Sequence, residues 1–297
     1  MSNKPRKMTL EKKHNLTGWA FLAPATFLIA VFSFWPMIKA LVLSFQTGKG
    51  RNMQMAGFTN YIRMFQDDVF IQSIKNTFFY FILQVPIMLV VAMVLACILN
   101  KKDLRFKGFF RTMIFLPCTT SLVAYSIIFR SLFANDGLVN YVLVNIGILD
   151  KPYNFLTQPF AAKMVILLGL LWRWTGYNMV FFLSGLQNIE YSVYEAAKID
   201  GASAIQTFFK ITVPLLKPTI LLTAIMSTNG TLQLFDESIN LTDGGPANAS
   251  ISMSHYIYNL CFKYVPNFGY AAAMSFFILL LVAVLAFIQM RVGDKRD

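Results

Sequence analysis

Six apolar stretches, at approximately 17–43, 76–99, 109–132, 161–184, 215–236 and 267–290, decide what this chain can fold into. Each supplies the roughly 20 residues that a helix needs to cross about 30 Å of bilayer hydrocarbon. A backbone in hydrocarbon has to satisfy its own N–H and C=O groups, which leaves helices or a closed barrel. The predicted fold class is therefore all-α integral membrane: a six-helix transmembrane bundle. With 56% hydrophobic and 13% charged residues and a mean hydropathy of +0.55, the chain is too apolar for a soluble globule of its length. Trp35-Pro36 interrupts the first stretch and Pro86 the second, breaks that neighbouring helices tolerate. Six crossings put both termini on one side.

A net charge of +12 invites a nucleic-acid reading, but its placement favours topology. Lys4, Arg6, Lys7, Lys12 and Lys13 precede the first stretch, and Lys101, Lys102, Arg105, Lys107 and Arg111 precede the third. Lys198, Lys210 and Lys217 precede the fifth, and Arg291, Lys295 and Arg296 close the chain. The opposite loops carry Lys49, Arg51, Arg63, Lys151 and Lys263, offset by Asp67, Asp68, Asp136 and Asp150. By the positive-inside rule the first four segments, and both termini, are expected in the cytoplasm. Residues 1–15 are expected as a cytoplasmic tail and 16–297 as one transmembrane domain. The apolar run from Leu16 is too long for a signal-peptide core and is read as a retained first span.

Chemistry is sparse. No Gly-x-x-x-x-Gly-Lys-Ser/Thr loop occurs to cradle a nucleotide, and His14 and His255 stand in no metal-ligand spacing. Cys97, Cys118 and Cys261 imply no disulfide framework. Asp236 and Glu237 are adjacent acids without a relay partner, read as an interfacial pair facing an outer vestibule.

Between the fourth and fifth stretches lies a polar island, residues 187–214. Ser192 with Glu195, and Ser203 with Gln206, have the serine-x-x-acid/amide form that caps a helix start. Gly201 lies between them, where a left-handed residue would end the first helix, and the second helix is expected to stop near Pro214. Val193, Ala196 and Ala197 put an apolar strip on an aqueous loop, which suggests a docking surface. Glu195-Ala196-Ala197, then Gly201, then Ile211 ten residues later and Pro214 three beyond that, resembles the cytoplasmic loop of permease subunits in binding-protein-dependent ABC importers. Val213 stands where that pattern usually has leucine. Gly185-Leu186-Gln187, Ile199-Asp200-Gly201-Ala202-Ser203 and Leu241-Thr242-Asp243-Gly244-Gly245-Pro246 resemble the carbohydrate branch, the maltose-permease type. The likeness runs from Phe21-Leu22-Ala23-Pro24 to Gly269-Tyr270-Ala271-Ala272-Ala273.

What that resemblance implies is a permease of the type I importer kind, serving a sugar or related polyol in a bacterial or archaeal plasma membrane. It implies Glu195, Ala196, Ala197, Asp200, Gly201, Ile211 and Pro214 as the contact that couples to an ATPase. The implied partners are a dimer of ATPase subunits that binds the ATP and Mg, a second homologous permease subunit, and an extracytoplasmic sugar-binding protein docking near the Gly244-Gly245-Pro246 turn. No cofactor in this chain and no nucleic acid are implied.

Polar residues inside spans mark pathways or helix contacts. Trp172, Trp174, Tyr177 and Asn178 in the fourth stretch, and Asn229, Thr231, Gln233 and Leu234 in the fifth, are the substrate-path candidates. Rings stack on sugar faces and amides bond hydroxyls; the competing reading makes the rings an interfacial belt and the amides helix glue. Arg173 is read as snorkelling, pairing or touching substrate. An ion-coupled secondary transporter is the alternative function, and it would need intramembrane acids or broken helices in matched halves.

Overall fold

The computed structural model of the protein describes residues 9–49, 52–101 and 103–293. Most of the tail, with Lys4, Arg6 and Lys7, and also Arg51, Lys102, Lys295 and Arg296, lies outside the described residues. Helix α1 (Leu10–Ser44) starts inside the segment read as a tail. It passes Trp35-Pro36 without a break because a wide turn at Ala30–Phe34 precedes the proline. Such a turn loosens the backbone ladder where proline has no N–H to give. A hairpin of β1 (Gln46–Lys49) and β2 (Asn52–Met55), antiparallel with Gln46 opposite Met55, leads into the short α2 (Thr59–Met64).

Helix α3 (Asp68–Asn100) continues straight through Pro86, correcting the expected interruption. The third stretch is not one span. It is α4 (Lys107–Thr119) and α5 (Leu122–Leu132), bent by 99°. After α6 (Leu138–Asn145), the long α7 (Pro159–Gln187) crosses beside α3, the most extensive helix pair of the bundle. The island forms α8 (Tyr191–Ile199) and α9 (Ala204–Leu215), and α10 (Lys217–Leu232) leaves α9 at 71°. The chain closes through α11 (Asp236–Thr242), α12 (Met253–Tyr258) and α13 (Phe268–Gly293). Among the described residues four helices are long and apolar enough to span, and up to six spans result if each bent pair counts as one.

Arg173 of α7 explains how the break between α4 and α5 survives. Its Nη1 donates to the carbonyls of Thr120 at 2.8 Å and Pro117 at 3.4 Å, and its Nη2 to that of Cys118 at 3.3 Å. A cation on the carbonyl end of α4 also opposes the helix dipole. Gly176, one turn on, lets the two backbones meet there, since a β-carbon would collide with the Ile114 carbonyl. Arg173 is thus neither snorkelling nor on the substrate path.

A second clasp closes the opposite corner. The Asp67 carboxylate caps α3 through the amides of Val69 at 3.0 Å and Phe70 at 3.2 Å, and accepts from the hydroxyls of Tyr256 and Tyr270, each at 2.7 Å. Burial pushes its pKa up, but these four bonds outweigh burial and hold it below the ordinary carboxylate value.

Two predictions follow from these clasps. Replacing Arg173 with methionine, which takes the guanidinium from the Thr120 and Cys118 carbonyls while Pro117 keeps the Thr120 amide and hydroxyl, should cost about 2–3 kcal/mol, read as a lower thermal midpoint, with lysine recovering part of it. For Asp67, a lowered folded pKa means stability that is complete above about pH 4 and lost as pH falls through the folded value. The midpoint gap between wild type and Asp67→Asn should be constant from about pH 7 to 5 and begin to narrow below about pH 4, vanishing once the pH is below the folded value; a gap that narrows instead between about pH 7 and 5, or is absent at pH 7, contradicts the clasp.

Candidate functional site

Two features are separated along α7. At one end is the pair α8–α9. Glu190, extended at ψ 133°, holds the N-cap position of α8 without a side-chain cap, and Ser192 donates instead to the Glu190 carboxylate at 3.3 Å. The expected box of Ser192 and Glu195 does not form, because the helix begins one residue earlier than its serine. Glu195 stands exposed and takes no part in capping its own helix.

The exit from α8 is as expected. Gly201 has φ +74°, the Ala202 amide reaches back to the Ala197 carbonyl at 2.9 Å, and the Gly201 amide to that of Lys198 at 3.2 Å. These crossed bonds make a Schellman stop, with Asp200 as the C-cap. Ser203 and Gln206 form a complete capping box at the start of α9. As expected, that helix stops near Pro214: a wide turn at Phe208–Thr212 admits the proline, and the helix ends one residue beyond it at Leu215, where the chain bends.

The pair also sorts its faces. Ala197 is buried, Ile211 is half-buried, and the Tyr194 hydroxyl lies 3.4 Å from that of Thr212. Val193, Ala196, Asp200 and Pro214 are exposed, and so are Ile199, Ile205 and Phe209, at 85%, 72% and 65%. The outward strip is therefore larger and more apolar than Val193-Ala196-Ala197 alone, and Ala197 is not part of it.

The second feature is a cleft of about 300 Å³ between α3, α7, α10 and the start of α11. Of the substrate-path candidates, Trp174, Tyr177, Asn178, Thr231, Gln233 and Leu234 line it. Trp174 and Tyr177 meet edge to face at 5.8 Å between centroids. Thr231 donates to Gln84 at 2.6 Å, Ser227 to Asn178 at 3.3 Å, and Asn178 to the Trp174 carbonyl at 3.0 Å. Two candidates lie elsewhere. Trp172 packs on Phe129 and Tyr125, at 5.5 Å and 6.2 Å between centroids, because it sits two residues from Trp174 on a helix of 3.6 residues per turn. Asn229 lines an adjoining groove of about 560 Å³ with Ser254 and Ser275, which touches the cleft through Gln233.

Gln84, Met88 and Ser227 line the cleft and were not singled out in the sequence, although a glutamine inside an apolar span is itself a signal. Asp236 and Glu237 also line it. Glu237 is only 4% exposed, which corrects its reading as part of an interfacial pair; α11 folds back and carries it inward beside Tyr125. Burial pushes its carboxyl pKa up.

Beyond the cleft, the turn at Thr242–Pro246 is held by the Ser250 hydroxyl on the Gly245 carbonyl at 2.6 Å and by Lys263 on Asp243 at 3.0 Å. Asn76 of α3 donates to the carbonyls of Asn248 and Ile251 at 3.1 Å and 2.9 Å, which fixes this loop to the bundle. Among the described residues no group of three His, Cys, Asp or Glu side chains could hold a metal.

Comparison with known proteins meets this geometry from another side. The chain is 51% identical over 292 residues to the lactose transport system permease protein LacF of Rhizobium radiobacter, covering 98% of each chain. Its fold is similar to a bacterial ABC transporter involved in the import of the acidic polysaccharide alginate, with a TM-score of 0.85 and 24% identity over 97% of this chain and 98% of that one. It is likewise similar to the bacterial alginate transporter in complex with an alginate pentasaccharide-bound periplasmic protein, with a TM-score of 0.83 and 25% identity over 96% of each. Residues 66–296 match the family model described as binding-protein-dependent transport system inner membrane component, and the chain belongs to that family.

Proposed function

We propose that this chain is the permease subunit of an ATP-driven importer for a di- or oligosaccharide or a related polyol, forming half of the translocation pathway. ATP hydrolysis in this family belongs to a separate subunit. The observation that carries the reading is the cleft: rings at right angles beside amides and hydroxyls, converging on one cavity within the bundle. Rings cover the apolar faces of a pyranose, and Asn178, Ser227, Thr231 and Gln233 meet its hydroxyls. The name of the lactose permease relative agrees.

Energy would enter through α8–α9. Its exposed strip of Ile199, Ile205 and Phe209 fits a cleft on the ATPase dimer, with Glu195 free to contact that partner and Gly201 setting the angle between the two helices. The charge placement supports a cytoplasmic position for this loop and for both termini, in the plasma membrane of a bacterium or archaeon.

A second permease subunit completes the pathway. Every described side chain from Thr9 to Lys39 is exposed, so the described residues leave that part of α1 largely uncovered. Asn229, Gln233, Ser254 and Ser275 form a polar groove that hydrocarbon alone would leave unsatisfied. A sugar-binding protein would dock at the clamped turn Thr242–Pro246. The ion-coupled alternative has less support, because the broken third span gives its free carbonyls to Arg173 rather than to a cavity.

Uptake into proteoliposomes holding the assembled transporter tests this. Glu195→Ala should leave stability within about 0.5 kcal/mol of wild type, because Glu195 caps nothing, yet reduce uptake; normal uptake counts against the coupling role. Gly201→Asp should abolish uptake with assembly intact. Space is open there but any side chain at φ +74° is strained, so Gly201→Asn, with the same backbone strain and no charge, is the control: uptake retained by asparagine and lost with aspartate assigns the effect to a charge on the docking face. Trp174→Ala should lower saccharide transport efficiency about tenfold, the loss of one ring contact.

A further inference from the structure

The cleft carries charge of one sign. Among the described residues that line it, Asp236 and Glu237 are the acids, and no lysine, arginine or histidine is present; Asp236 is the more exposed of the two, whereas burial shifts Glu237 toward its neutral form. Arg173 lies on the same helix as Trp174 and Tyr177, but its terminal nitrogens are held on the carbonyls of Pro117, Cys118 and Thr120. The ion pairs found within 4.0 Å among the described residues join His255 and Lys263 to Asp243, not to either cleft acid. The rest of the wall is aromatic, aliphatic, amide or hydroxyl.

We propose that this wall selects uncharged saccharides and rejects anionic ones, with Asp236 and Glu237 as the specificity-determining residues. The inference rests on the sugar-import reading and adds the charge of the substrate to it. Carboxyl groups bond sugar hydroxyls well, so the pair favours a neutral saccharide. A uronate or sulfonate carried past Asp236 between low-dielectric walls meets like charge, which lowers its occupancy about tenfold, and the buried Glu237 carboxyl, favouring its neutral form, offers that anion no compensating cation. A similar fold serves the import of an acidic polysaccharide, so the fold leaves substrate charge open and the lining residues decide it.

Gly230 offers a reporter position, since it lines the cleft and a β-carbon there meets no atom within 4 Å. In the assembled transporter, with Cys97, Cys118 and Cys261 replaced by alanine, Gly230→Cys is treated with methanethiosulfonates bearing a trimethylammonium, no charge, or a sulfonate. Rates are normalised to a free thiol in solution. The cationic reagent should react fastest and the anionic one slowest, with a ratio of about tenfold or more. That ratio should fall toward one when Asp236→Asn and Glu237→Gln are combined; should the double variant fail to assemble, Asp236→Asn alone must still lower it. A ratio near one, an inverted order, or no reaction with any of the three overturns the proposal. Lactose uptake by vesicles holding the parent transporter reads the import function separately. Charge ordering without uptake counts against sugar import, and uptake without ordering counts against charge selection.

Discussion

The grip of Arg173 on the carbonyls around Thr120 is the contact on which the rest of the bundle depends. Hydrocarbon supplies no hydrogen-bond partner, so a 99° break in a span is stable only where protein meets the freed backbone groups. One guanidinium meets the carbonyls of Cys118 and Thr120, the Thr120 amide and hydroxyl meet that of Pro117, and Gly176 brings α4 close enough for this. Fixing α4 on α7 in this way turns Trp174, Tyr177 and Asn178 toward α3 and α10. The cleft is a consequence of a broken helix held by its neighbour.

From there α7 links two tasks. Its middle lines the cleft, and its end at Gln187 delivers the chain to α8–α9, about three turns away. The pair is stiffened by local means: the Schellman stop at Gly201, the box of Ser203 and Gln206, and burial of Ala197. A rigid pair with an apolar outer strip transmits displacement, whereas a flexible loop would absorb it. That is why a chain without a nucleotide loop can still be driven by an ATPase.

The long spans and the second cap were legible in the sequence because both depend on neighbours along the chain. Apolar length gives α3, α7 and α13, and Ser203 lies three residues before Gln206. What escaped depends on distant partners. Nothing near Thr120 announces Arg173, 53 residues away, and the run 109–132 has the length of an unbroken span. Pro36 and Pro86 misled in the opposite sense, since α1 and α3 run on through them, the first after a wide turn that absorbs what a simple α-helix could not, whereas α9 does stop beside Pro214. Glu237 looked interfacial because composition gives depth along a span but not the fold-back of α11 that buries it. Trp172 and Trp174 were equal in composition, and only the rotation of α7 separates them.

The central claim is that sugar recognition in this bundle is coupled to a separate ATPase through α8–α9. The most direct measurement is ATPase activity in liposomes holding this chain with its partner permease and ATPase subunits, with and without sugar-loaded binding protein. The account predicts stimulation that depends on both sugar and binding protein and that is lost when Ile205 and Phe209 on the outward strip are replaced by aspartate. ATPase activity indifferent to every sugar and binding-protein combination, or stimulation that survives those replacements, would contradict it.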